Sequence, residues 1–128
     1  MTDNEFSETE GDEPVGTIHL DDDELYRALA SRRRRRLLYM LLVEEESTVQ
    51  KLATVLAGWG ATETGRMATP EDRRDILTAL EHHHLPLLAE SDLITYDRRS
   101  GVVSLGPVDQ PVADLISRSV ESERQQHS

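Results

Sequence analysis

The sequence predicts a mainly helical α+β domain that closes with a small β-hairpin and a last helix, in the order α-α-α-loop-α-β-β-α. Helix starts that carry capping residues predict it, together with apolar residues at helical spacing and a change of hydrophobic period at Leu93. The first helix opens at Asp21 as cap, with Glu24 as capping-box partner and Leu20 placed to staple onto Leu25. Leu25 and Leu29 then share a face. Ser31 caps the second helix, where Leu37, Leu38, Leu41 and Leu42 form a core stripe. The third helix starts at Ser47 with Gln50 in the reciprocal position. Val49, Leu52, Ala53 and Leu56 make its apolar face, and Gly58 supplies a stop. Residues 58–69 contain three glycines and no apolar rhythm, which reads as a loop. Thr69 and Pro70 open the fourth helix with Asp72 at its positive end, and Ile76, Leu77, Leu80, Leu87 and Leu88 define its buried side.

After Leu93 the rhythm is that of strands. Residues 93–97 and 102–105 are β-prone, and Arg98, Arg99, Ser100 and Gly101 link them as a hairpin turn with a basic tip. Pro107 breaks the chain before Val112, Leu115, Ile116 and Val120 mark a final amphipathic helix. The element order is that of a winged helix-turn-helix. The domain is expected at 17–106, with an acidic disordered leader at 1–16, a C-terminal amphipathic helix at 107–124 and a disordered tail at 125–128.

The 128 residues suffice for one domain with a core. The chain has no cysteine, which excludes disulfides and thiolate metal sites. No apolar run approaches the roughly 20 residues of a membrane span, so a soluble, cytoplasmic protein is expected. The net charge of −11 is unevenly spread: residues 1–24 hold ten acids and no Lys or Arg. The remaining fifteen acids face fourteen bases, leaving residues 25–128 at −1. The leader reads as a solubilising tail, or as a competitor of phosphate for the basic surface. Only Lys51 among the fourteen bases is a lysine. That balance resembles proteins of salt-loving archaea, in whose cytoplasm phosphate attraction is screened within about 3 Å at 1 M salt.

Ala28, Leu29, Ala30 and Ser31, followed by Arg34, Arg35, Arg36, Leu37, Leu38 and Leu41, resemble the second-helix signature of ArsR-type repressors. Residues 84–94 resemble the end of their recognition helix and its entry into the wing. The chain is also similar to a haloarchaeal winged-helix family of unknown function. The features carrying that likeness are the five arginines at 32–36, Trp59 in the loop before the fourth helix, His84-Leu85-Pro86-Leu87-Leu88, and Tyr96-Asp97. The resemblance implies a winged helix and, by analogy, a transcriptional role. Three features depart from the pattern: a loop of about a dozen residues where a turn of about 3–4 is usual, Asp92 where glycine ends the recognition helix, and Pro86 within a helix it should kink or end.

The fourth helix turns Glu71, Asp75, Thr78 and His82 away from its apolar stripe, with Arg74 at the margin. Arg74, Thr78 and His82 suit contact with double-stranded DNA, while the two acids oppose it. Arg98 and Arg99 on the wing suit phosphate or the minor groove. The five arginines at 32–36 point about 100° apart and cannot form one surface. They also oppose the helix dipole, so ion pairing with residues 21–24, with C-terminal acids, or with a phosphate backbone is expected to offset them. Adjacent His82, His83 and His84 lack the spacing of metal ligands on a helix. His84 reads instead as a hydrogen-bonded core residue. No phosphate loop, nucleophile elbow or acid/base pair is present, so neither enzyme activity nor a cofactor is expected. Val112, Leu115, Ile116 and Val120 either pack on the chain's own first helix or form a homodimer interface, the latter favoured because the patch is large for so small a domain. The function expected is DNA-binding transcriptional regulation, with a protein-interaction module built on Trp59 and its loop or on the last helix as the alternative.

Overall fold

A computed structural model of the chain describes residues 17–19 and 21–127, with side chains to 123. The acidic leader at 1–16 and the Leu20 staple lie outside the described residues. The fold is mainly helical with one three-stranded antiparallel sheet, an α+β arrangement. Among the described residues no helix is long and apolar enough to cross a membrane.

Helix α1 spans Asp23–Leu29 and α2 spans Arg32–Glu44. Asp22, not Asp21, occupies the N-cap of α1, and its carboxylate accepts a hydrogen bond from the His19 N–H at 2.9 Å instead of capping the helix. Glu24 therefore has no box to complete. Ser31 does cap α2, accepting from the Arg34 N–H at 3.3 Å. At the other end Glu45 takes a positive φ of 70°, which turns the chain into strand β1, Glu46–Thr48. Sequence reasoning missed this strand because three residues carry too little alternation to register. Ser47 belongs to β1 and is buried, and Thr48 is the true cap of α3, accepting from the Lys51 N–H at 3.1 Å.

Helix α3 runs Val49–Thr64, straight through Gly58 and Gly60. The loop expected at 58–69 is thus mostly helix, and Trp59 packs against the core from α3 rather than sitting in a loop. Packing by Ala57, Trp59 and Ala61 outweighs the roughly 1 kcal/mol that each helical glycine costs. The stop is Gly65, left-handed at φ 73°. It closes a Schellman pair in which Gly65 N–H donates to the Thr62 carbonyl and Arg66 N–H to that of Ala61. Helix α4, Pro70–Ala79, follows after a short link and starts with a complete capping box between Thr69 and Asp72. Those hydrogen bonds from Thr69 hold the Asp72 carboxyl below its ordinary pKa.

A π turn at Leu80–His84 continues α4 into α5, Leu85–Glu90. Pro86 neither ends nor breaks this helix: the Leu85 N–H reaches back to the Leu80 carbonyl, and the wider turn absorbs the missing donor. Asp92 accepts the left-handed position at φ 62°, within a second Schellman pair to Ala89 and Leu88. Strands β2, Ile94–Asp97, and β3, Val102–Leu105, form the hairpin, and β1 adds to β3 to give the order β1-β3-β2.

Helix α6, Gln110–His127, is capped by Asp109, whose carboxylate accepts from the Val112 N–H at 3.1 Å. It passes the boundary at 124 that its polarity suggested. Asp109 also pairs with His19 at 2.7 Å and so ties the start of the described chain to α6. Val112, Ile116 and Val120 are fully buried, with α6 laid on α2, and Leu115 is half-buried against the same core. The stripe that suggested a homodimer is closed within the chain, so that inference loses its premise.

Candidate functional site

The hairpin turn is pinned at both sides. Asp97 accepts from the Arg99 N–H at 2.9 Å, and the Gly101 carbonyl accepts from the Val49 N–H at 2.9 Å, fixing the tip against the start of α3. Gly101 needs its positive φ of 80° to make this turn. Arg98 and Arg99 are exposed at that tip. Arg74, Thr78 and His82 are exposed along α4 and the π turn at successive i, i+4 positions. The two sets meet at one place: Glu81, His82, Pro86, Tyr96 and Arg98 line a shallow cleft between the π turn and β2. Partial burial, with the Glu81 carboxylate nearby, pushes the Tyr96 hydroxyl pKa up. Arg99 is in the turn outside this cleft, and Arg74 and Thr78 lie farther toward the start of α4. Exposed Glu71 and Asp75 flank Arg74 on that helix.

The neighbouring Arg73 is used internally. Its guanidinium donates to Thr54 Oγ1 at 2.8 Å and to Gln50 Oε1 at 2.7 Å, which fixes α4 against α3. The five arginines of α2 are mostly used in the same way. Arg34 is buried and donates to the carbonyls of Ala28 and Arg27, both at 3.0 Å, thereby satisfying the open end of α1. Its third contact is to His84 Nδ1 at 3.3 Å. Arg35 and Arg36 straddle Glu123 of α6, at 3.1 and 3.0 Å. Arg36 also pairs with Glu63 of α3 and stacks over Trp59, 4.8 Å from the ring centroid. Arg32 reaches Glu63 at 3.8 Å. Of the counter-charges expected, the C-terminal acid is the one found; residues 21–24 are in none of these pairs.

Glu63 was missed by sequence reasoning, and Glu123 was covered only by the general expectation of a C-terminal acid, yet both continue apolar stripes. Glu123 follows Val112, Ile116 and Val120 at helical spacing, and Glu63 follows Leu52, Leu56 and Trp59 once α3 is carried through its glycines. His84 is buried as expected, and burial with the charges of Arg34, His83 and Arg33 lowers its pKa to about 4. His82 and His83 are exposed. Among the described residues no group of three His, Asp or Glu side chains is arranged to hold a metal ion.

No curated protein and no solved structure matches the chain. A family model does match, over residues 26–104, and the chain belongs to that family, a domain of unknown function (DUF7344).

Proposed function

We propose that this member of the DUF7344 family is a winged helix-turn-helix regulator of transcription that binds double-stranded DNA through α4 and the β2–β3 hairpin. The observation that carries the reading is where uncommitted positive charge lies. Among the described residues, the basic side chains without a hydrogen-bond or ion-pair partner are Arg27, Arg33, Arg74, Arg98, Arg99 and Arg118. Three of these six lie on α4 and the hairpin tip. The element order supports the same reading, since β1 precedes α3, a link of residues 65–69 joins α3 to α4, and the hairpin follows. Arg98 and Arg99 take phosphate or the minor groove, while Arg74, Thr78 and His82 face base edges. Glu71 and Asp75 steer the duplex toward the His82 end of the helix and the hairpin.

Fluorescence anisotropy on duplex DNA, at low salt and at molar potassium chloride, tests this. Replacing both arginines (Arg98→Glu with Arg99→Glu) should weaken binding at least tenfold on every sequence and flatten the salt dependence by about one unit of slope per lost phosphate contact. Thr78→Ala or His82→Ala should instead alter sequence preference. Undiminished binding by the double variant removes the hairpin from the interface. A protein-interaction module is the second reading, favoured by the acids on α4 and by Met67, 85% exposed in the link before it. Absence of duplex binding on any sequence leaves that reading standing.

A further inference from the structure

A second cleft, away from the hairpin, has an arginine-rich polar wall facing an apolar one. It measures about 470 Å3 and lies between the start of α2, the later turns of α3 and the π turn. Arg32, Arg33, Arg36, Glu63 and His84 form its polar wall, with Leu56 and Ile76 as its apolar part. Its single carboxylate, Glu63, is shared by Arg32 and Arg36. Arg33 is only partly exposed and has no partner among the described residues. The first turn of α2 carries no acid, so the positive end of the helix dipole adds to the same field. Asp72 and Asp75 border the adjoining cleft that Arg33 also lines, and neither is within ion-pair distance of it.

His84 fixes the character of the opposite wall. Its side of the contact with Arg34 must be the acceptor, because a guanidinium has no lone pair to offer. Nδ1 is therefore unprotonated, and the neutral ring carries its proton on Nε2. That N–H has no partner among the described residues, and His84 lines the cleft. The ring nitrogen is not shut off from solvent, since among the described residues Ser47 Oγ is the one fully enclosed side-chain polar atom without a partner, so a bound acceptor would take the place of water at Nε2. A guanidinium and a ring N–H on the walls of one pocket suit an anion with two or more oxygens. The size falls within the usual range for small-molecule sites, roughly 300–1,000 Å3.

We infer that this cleft binds a small oxyanion, the phosphate or carboxylate group of a metabolite, between the Arg33 guanidinium and the Nε2–H of His84. The site bridges α2 to the helix that carries His82, and it stands whether or not the chain binds DNA.

The test is titration of the full chain with inorganic phosphate and, separately, with succinate, at fixed potassium chloride and pH 7. The histidine ring nitrogens are followed by 15N-edited NMR. The expected result is a saturable shift of the His84 Nε2 resonance with at least one probe, and the stronger probe identifies the headgroup. Arg33→Ala should raise the apparent Kd at least tenfold, and Arg33→Lys should recover part of the affinity. Arg33 holds no partner, so both variants should fold, which unchanged chemical shifts in the β2–β3 hairpin would verify. Shifts that fail to saturate with either probe overturn the proposal. So does a saturable shift of equal midpoint in Arg33→Ala.

Discussion

Truncating Glu123 should be among the most damaging single changes in this chain, although it lies near the C-terminus in a segment that reads as polar. Its side chain is 9% exposed and holds Arg35 and Arg36, the latter 6% exposed. Removing one partner of a buried ion pair typically costs about 3–5 kcal/mol, because the other charge stays buried. Here the loss is moderated. Arg36 keeps Glu63 and the Trp59 face, while Arg35 keeps the Leu29 carbonyl at 2.9 Å and some water. Glu123→Ala should therefore cost about 2–4 kcal/mol, lowering Tm by about 8–16 °C at roughly 4 °C per kcal/mol for a domain of this size. Glu123→Gln keeps the shape but turns an amide N–H toward an arginine, and should recover about half. The assay is urea unfolding followed by far-UV circular dichroism, with unchanged m-value as the sign that only stability moved. Glu121→Ala, exposed on the same helix, should stay within about 0.5 kcal/mol of the parent. The buried pair is poorly screened, so the difference should persist at 1 M potassium chloride. A loss below about 0.5 kcal/mol for Glu123→Ala would refute the assignment of the arginine run to internal pairing.

Gly106 donates to the Leu93 carbonyl at 2.7 Å, and an added Cβ would sit on the Asp92 carbonyl and 3.1 Å from that of Leu93. Gly106→Ala should thus destabilise by about 1–3 kcal/mol in the same unfolding assay, and a neutral result would show that the 92–93 backbone yields. His84 predicts the acid side of the stability profile. Its folded pKa of about 4 lies below the usual 6.5, so between those values the unfolded chain binds the extra proton and stability falls with falling pH. The shift sets a ceiling of about 3 kcal/mol, and the open side of the ring brings the expectation to about 1–2 kcal/mol. Subtracting the profile of His84→Gln should isolate a loss confined to pH 4–6.5; parallel profiles would contradict it.

Local chemistry was legible in the sequence and distant pairing was not. Ser31 and Thr69 are legible as caps because a cap is decided within four residues by a side-chain oxygen and an N–H. The stop at Gly58 failed for the opposite reason. Whether a glycine ends a helix depends on what its neighbours bury, and Trp59 and Ala61 find the core and Arg36 only in the folded chain. Ser47 illustrates the same limit: its capping pattern is sound, yet pairing with Val103 draws it into β1 and passes the cap to Thr48. The candidate contact residues Arg74, Thr78, His82, Arg98 and Arg99 are all exposed as expected. That His82 and Arg98 border one cleft depends on the turn of the π segment, which no periodicity announces.

The shortened link between α3 and α4 changes how the acidic helix weighs against DNA. With a dozen flexible residues in between, α4 would have been free to turn Glu71 and Asp75 away from any partner. In the structure Arg73 fixes α4 to Gln50 and Thr54, and the hairpin tip is fixed to Val49 of the same helix. Orientation of the two proposed contact elements is therefore common, set by α3. Under the proposed function, a duplex resting on Arg98 and Arg99 would meet α4 at His82 first and at Glu71 last, so the acids would bound the footprint rather than veto binding. Charge reversal at that boundary separates the alternatives. Glu71→Lys should tighten duplex binding severalfold if DNA reaches the start of α4, and leave it unchanged if contact ends near Thr78.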